Sequence, residues 1–232
     1  MIYFFKLIVE YLNLTDLVIK FCYRFKLIKY ILPHDKDFFG LKKLKKKIGN
    51  NQIIDVGSAY GLSVLSIRKL GFKKNKIFCF EPNIYYKKFW TQNFLKENIS
   101  IFFHGIYFHN KFCNLHIPKG MLFYNYTAGS IYKKCFAKYK TQKISLKVIN
   151  QKLFKKVGLI KIDAEKSDNI ILLCLEKVIR RDKPVILIED NKELKFFVNF
   201  LQGYKLMHYR NNKFINYKKN SNFRNAYLIP IQ

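Results

Sequence analysis

The chain has 232 residues, half of them apolar and a quarter charged, which suits one ordinary α/β domain with a full core and a short appendage and excludes disordered and fibrous classes. Its formal charge of +29 favours anionic partners such as nucleic acid, phospholipid headgroups or acidic glycans, although the abundance of Lys, Asn, Ile, Phe and Tyr is also the amino-acid bias of an AT-rich genome. Five cysteines, odd in number and without a C-x-x-C pair, indicate neither a disulfide framework nor a zinc site, and a reduced, cytoplasmic setting is expected.

Residues 1–32 are apolar but interrupted by Lys6, Glu10, Asp16, Lys20, Arg24 and Lys26. No window reaches the ~18 uninterrupted apolar residues of a spanning helix, and neither the basic start nor the small-residue cleavage site of a signal peptide is present. Leu7, Tyr11, Leu14, Val18, Phe21, Phe25, Ile28 and Leu32 recur at alternating steps of four and three, an apolar stripe on one helix or on two broken near Asn13 to Thr15. The stripe packs on the main domain or on a second copy, the preferred reading. Alternatively it lies on a membrane surface with Lys6, Lys20, Arg24 and Lys29 toward headgroups, making the protein peripheral there. Pro33 closes this region, and the run "LKKLKKKIGNN" reads as a solvated helix face stopped by Gly49. Residues 1–48 are therefore taken as an N-terminal amphipathic helical segment and 49–232 as the main domain.

From there strands and helices alternate: strand 52–56, helix 61–70, strand 76–81, helix 84–97, strand 99–104. An irregular aromatic middle follows, then strand 157–163, helix 168–180, strand 184–189, helix 191–201 and strands near 203–209 and 224–230. This predicts a mostly parallel, twisted sheet with helices on both faces.

In such a sheet ligands bind beyond the carboxyl ends of the strands. Of only 15 acids, six fall at or just past predicted strand ends: Asp55, Glu81, Asp163, Glu165, Glu189 and Asp190. In "IIDVGSAYG" the glycines let the backbone turn tightly and approach a ligand. Glu81 in "IFCFEPN" stands twenty residues after Gly61, the offset at which nucleotide-binding sheets place an acid on the ribose hydroxyls. Between Gly57 and Gly61, Ala59 replaces the glycine that admits a pyrophosphate. An adenosine ligand without phosphates fits better, and S-adenosylmethionine, whose charges are positive, suits a ring of carboxylates. The expected cofactor-binding residues are Asp55, Gly57, Ser58, Ala59, Tyr60 and Gly61 with Glu81, Pro82 and Asn83. The bland alternatives are a turn or helix cap for Asp55 and a surface ion pair for Glu81.

The blocks "IIDVGSAYGLSVLSI", "IFCFEPNIYYKKFWTQN" and "LIKIDAEKSDNIILLCLEKVIRRDKPVILIED", with "NAYLIP" near the end, resemble the FkbM family of S-adenosylmethionine-dependent methyltransferases over about residues 50–230. The resemblance implies a Rossmann-like class I methyltransferase fold and methyl transfer to a hydroxyl, usually on a sugar or a secondary metabolite. It also implies that Asp55, Gly57, Ser58 and Gly61 line the methionine end of the cofactor, that Glu81 holds its ribose, and that Asp163 and Glu165 face the reacting methyl. Two positions depart from the family pattern: Lys166 stands where the family prefers Gly, and Asp168 where it prefers Glu. A side chain at Lys166 would restrict the backbone or narrow the acceptor entrance.

A sugar hydroxyl is a poor nucleophile, so a general base within hydrogen-bond reach is expected. The candidates are Asp163, Glu165 and His104, in that order, with His104 closing "IFFHG". A carboxylate group of Asp163, Glu165 and Glu189 holding a divalent metal such as Mg²⁺ is the minority reading. In "FYNYTAGSIYKK" the side chains of Tyr124, Tyr126 and Tyr132 either stack on an acceptor ring or form a hairpin core. The expected partner is a small-molecule or glycan acceptor, anionic or lipid-linked. An RNA or cap methyltransferase using the same cofactor site, or a non-catalytic binding protein on this fold, are the alternatives.

Overall fold

The computed structural model describes residues 14–30, 32–33, 35–94, 98–119, 128–132, 138–191, 193–218 and 223–231. In chain order the helices are α1 (Thr15–Arg24), α2 (Phe39–Lys43), α3 (Lys45–Ile48), α4 (Leu62–Lys69), α5 (Lys87–Asn93), α6 (Asp168–Cys174), α7 (Glu176–Asp182) and α8 (Leu194–Leu201). The strands are β1 (Gln52–Val56), β2 (Ile77–Phe80), β3 (Ile99–Phe102), β4 (Gly105–Ile106), β5 (Lys111–Pro118), β6 (Tyr139–Lys147), β7 (Val157–Ile162), β8 (Val185–Glu189), β9 (Tyr204–Arg210), β10 (Lys213–Asn216) and β11 (Asn225–Pro230).

Eight strands form one sheet in the order β10-β9-β11-β8-β7-β1-β2-β3. Pairings from β8 to β3 are parallel, and those from β10 to β8 antiparallel. The central strands read as unbroken apolar runs because helices cover both faces. Alternate residues sort between two cores. Ile54, Val56, Ile160, Ile162, Ile186 and Ile188 pack with Ile171, Val178 and Phe197 of α6, α7 and α8. Ile53, Cys79, Leu159 and Leu187 pack on the other side with Ile19 of α1, Leu41 of α2, Ile48 of α3, Val64 of α4 and Trp90 of α5. The mostly parallel, doubly covered sheet expected from the alternating pattern is the one observed.

Local chemistry shifts several boundaries. The helix expected over 84–97 begins with a 3₁₀ turn, Ile84–Tyr86, because the Asn83 side chain accepts the Tyr85 N–H. The helix expected from 191 starts at Leu194, since Asn191 Oδ1 takes the Glu193 N–H in an Asx turn. The single helix expected over 168–180 breaks at Leu175, which sits at φ −97°, ψ 4° and shares its N–H between the carbonyls of Ile171 and Leu172. Gly49 does end the basic run, at φ +60°.

Two regions differ more. The aromatic middle, expected to be irregular, holds a second sheet in which β6 pairs antiparallel with β5 and parallel with β4, around Leu115, Ile117, Ile144 and Leu146. Tyr124 and Tyr126 lie outside the described residues, as do residues 1–13 of the N-terminal stripe. Of that stripe, Phe21 and Phe25 are exposed, and α1 instead buries Ile19 and Cys22. Apolar residues surround most of this helix, so periodicity alone did not select the packed face. Among the described residues no helix is long and apolar enough to cross a membrane.

Candidate active site

The site follows from topology. From β1 the chain moves outward through β2 to β3, whereas β7 leads outward the other way to β8, so the connections diverge beyond the ends of β1 and β7 and leave a crevice there. The Asp163 N–H donates to Val56 O at 3.1 Å, bringing the two strand ends together. A Cβ on Gly57, at φ +76°, would lie 1.8 Å from Asp163 O, and one on Gly61, at φ +72°, 2.6 Å from the Phe94 ring. The glycines are therefore required by left-handed backbone and by contact with the protein itself, rather than by approach to a ligand.

Glu81 follows β2 and is almost fully buried. One carboxylate oxygen accepts the Ala59 N–H at 2.8 Å and the other the Asn83 N–H at 2.8 Å, so this single side chain joins the glycine turn to the end of β2. Burial pushes its pKa up to about 7 against the pull of those two donors. Asn83 Oδ1 caps the 3₁₀ turn, while its Nδ2 is buried without a hydrogen-bond partner among the described residues. A buried donor left open beside a carboxylate is a place for a ligand acceptor.

Beneath the turn lies Lys161, which the sequence reading passed over. Its ammonium donates to Gly57 O at 3.1 Å and stands 3.5 Å from Asp55 Oδ1 and 3.7 Å from Asp163 Oδ2. Burial disfavours the charge, yet the carboxylates of Asp55 and Asp163 raise the lysine pKa overall. Asp55 is wholly buried and also accepts the Ser63 hydroxyl at 2.7 Å. It stands behind Lys161 and holds it, off the cavity lining, whereas Lys161 lines the cavity. The available signal was a lone cation inside the otherwise apolar strand "GLIKI", which a sheet core accepts only with a counter-charge.

The cavity encloses about 530 Å³, within the range of small-molecule sites. Gly57, Ser58, Ala59 and Tyr60 line it, as do Glu81, Pro82, Asn83, Asp163 and Glu165. Gly61 sits at the turn's end, off the lining, as the N-cap of α4. The second sheet roofs the cavity through Gly105, Ile106, Tyr107, Leu115 and Leu146. Ser130 pins the neighbouring loop by donating to Glu165 O at 2.8 Å, and Arg224 adds a cation to the wall. None of Ser130, Arg224 or Tyr107 carried a spacing that marked it in sequence; each arrives by long-range packing.

The six rim acids thus divide. Glu81, Asp163 and Glu165 face the cavity, and Asp55 lies behind it. Glu189 is half-buried, and burial with the nearby Asp163, Asp168 and Glu165 carboxylates pushes its pKa up to about 7, but it is off the lining. Asp190 turns to His208 at 3.1 Å. His104 is also off the lining: it sits against the rings of Phe80 and Phe102, its Nδ1 3.1 Å from Gly105 O, and burial lowers its pKa.

Lys166 holds φ +76°, the conformation glycine would take, with its side chain exposed and off the lining. Left-handed backbone costs a side-chain-bearing residue ~1–2 kcal/mol, against ~0.5–1 kcal/mol of chain entropy for glycine. Lys166→Gly should therefore stabilise the fold by roughly 0.5–1 kcal/mol, read as a melting temperature higher by about 1–4 °C.

Among the described residues no three His, Cys, Asp and Glu side chains are grouped to hold a metal ion. No protein-family model matches the chain, and no curated protein matches it in sequence. Among solved structures it is similar to the methyltransferase FkbM from Methylobacillus flagellatus, with TM-score 0.50 and 14% identity, over 77% of this chain and 43% of that one. A second similar structure is the precorrin-6y C5,15-methyltransferase of Geobacter metallireducens, with TM-score 0.41 and 11% identity, over 82% and 84% of the two chains. The chain therefore spans under half the length of the first, and that likeness gives the architecture as the Rossmann-like class I methyltransferase fold.

Proposed function

We propose that the chain binds S-adenosylmethionine in this cavity and transfers its methyl group to a hydroxyl oxygen, most plainly one on an anionic sugar or glycan. The observation that carries the reading is the Glu81 carboxylate, fixed by two backbone donors at the crevice edge beside the open Asn83 amide donor. Both oxygens keep lone pairs for vicinal ribose hydroxyls. Pro82, Tyr86 and Ile106 give an adenine ring apolar walls, and Asp163 and Glu165 offer negative charge to a cationic donor. The donor supplies an electrophilic methyl carbon.

The chain must then hold the acceptor oxygen in line and take its proton. Positioning of this kind is worth ~7–11 kcal/mol of barrier. Asp163 is partly exposed on the cavity wall, with Lys161 fixing its orientation, and serves as the base. Arg224, 3.7 Å from Asp35, can meet an acidic group of the acceptor.

The test is calorimetric titration with S-adenosylmethionine and its demethylated product, followed by labelled methyl transfer to glycan, lipid and RNA acceptors. Micromolar binding and a labelled glycan are expected. Asp163→Asn should lower turnover 10²–10⁴-fold, a far larger loss than the weakening of donor affinity that follows from removing one carboxylate charge. Labelled RNA instead would move the reading to the alternative that the charge of +29 would serve, and absence of donor binding would overturn it.

A further inference from the structure

Helix α1 has two unlike faces. Its inner face packs Ile19 and Cys22 into the core, and Tyr23 donates its hydroxyl to Tyr60 O at 2.7 Å. On its outer face Leu17, Phe21 and Phe25 follow one another at four-residue steps and are 61%, 53% and 55% exposed, with the two phenylalanine rings 4.4 Å apart. Leu27 and Tyr30 extend this ridge beyond the helix and are exposed too. Four exposed cations, Lys20, Arg24, Lys26 and Lys29, stand among these residues. Asp16, the one acid between residues 14 and 30, lies on the inner side against Tyr60.

Beside the ridge, between α1 and α5, runs a groove of about 470 Å³ whose walls include Lys20, Arg24, Lys88 and Asn93. It presents cations and an amide at the level of the apolar ridge. A water-facing helix does not place three large apolar side chains in one exposed row without an occupant.

We propose that this face docks on the surface of an anionic phospholipid membrane. Leu17, Phe21 and Phe25 enter the boundary between headgroups and acyl chains, and the cations meet lipid phosphates, the arrangement by which amphipathic helices lie in a bilayer interface. Charge selects this occupant over a second copy of the chain. A two-fold contact through the face would bring both sets of four cations together, with no acid on that face among the described residues of α1 and its extension. Docking also has a geometric result: Ile19, on the opposite side of the same helix, lines the cavity. The cavity then stands about one helix diameter, ~10 Å, from the lipid. The docking face does not rest on the proposed reaction.

The experiment is co-sedimentation of the full chain with vesicles of phosphatidylcholine alone or mixed with phosphatidylglycerol. The native chain should bind the acidic vesicles and release them at high salt. Leu17→Ser/Phe21→Ser/Phe25→Ser should reduce partitioning at least tenfold, and Arg24→Gln/Lys26→Gln/Lys29→Gln by roughly fivefold per charge removed. Both variants change exposed side chains, so unaltered circular dichroism and melting temperature confirm that the fold is kept and separate this result from the fate of the methyltransferase reading. Equal binding to neutral vesicles, or undiminished binding by the apolar variant, overturns the proposal. So does a native dimer in sedimentation velocity that the apolar variant abolishes.

Discussion

Lys161→Met is expected to cost the fold about 3–5 kcal/mol, because it leaves a buried carboxylate without its counter-ion. Asp55 is wholly buried, and with the lysine gone the Ser63 hydroxyl is, among the described residues, the one group still donating to its side chain. Against a total stability of ~5–15 kcal/mol this is a large fraction. The same ammonium holds Gly57 O and orients Asp163, so the turn and the carboxylate on the wall should loosen together. Denaturant unfolding of the native chain, Lys161→Met, Asp55→Asn and the double variant separates the causes. If the unpaired charge is responsible, the double variant recovers much of what Lys161→Met loses, with a coupling energy of about 1–3 kcal/mol. Additive losses would show that the lysine acts by packing alone.

Glu81→Ala should lower affinity for S-adenosylmethionine by 10²-fold or more and destabilise the protein as well. The substitution removes the acceptor for two backbone donors, each costing ~1–3 kcal/mol if left buried and unmet. It also removes the proposed ribose contact. Glu81→Gln keeps one acceptor oxygen and should recover part of the stability but little of the affinity; calorimetry and thermal melting read the two separately. Unchanged donor affinity in Glu81→Ala would remove the ribose assignment.

The pH dependence follows from the same residue. Its folded pKa of about 7 lies above the ordinary carboxyl value. Its contribution to stability is therefore complete below the unfolded pKa, near pH 4.5, and is lost as pH rises through 7. Hydroxyl donors of a bound ribose favour the ionised carboxylate, so donor binding should strengthen from pH 6 to 8 and release protons below neutrality. Titrations in buffers of different ionisation enthalpy would detect that release.

What the sequence disclosed and what it withheld have physical causes. The β1 turn and Glu81 were legible because they are local: a buried apolar run, two glycines and an acid at a fixed offset describe one strand, one turn and the next strand end. The second sheet was not. β5 and β6 are half-exposed and polar over much of their length, so only pairing makes them strands. Asp55 was placed correctly at a strand end, but a strand-end position does not reveal whether a carboxylate faces a ligand or a neighbour; Lys161, more than a hundred residues further along the chain, decides it. Which face of α1 the core takes was hidden for a related reason, since a helix apolar on most sides carries no mark of the buried one.

The roof has a consequence for how selectivity can change. Strands β4, β5 and β6 follow β3 in the chain, gather around a small core of their own at Leu115, Ile117, Ile144 and Leu146, and precede β7. The glycine turn, Glu81 and Asn83 follow strands of the main sheet, while Gly105, Ile106, Leu115 and Leu146 of the insert line the same cavity. Exchanging the insert for one of another shape would reshape the cavity while leaving the glycine turn and Glu81 in place, a modular division between a fixed chuck and a replaceable bit.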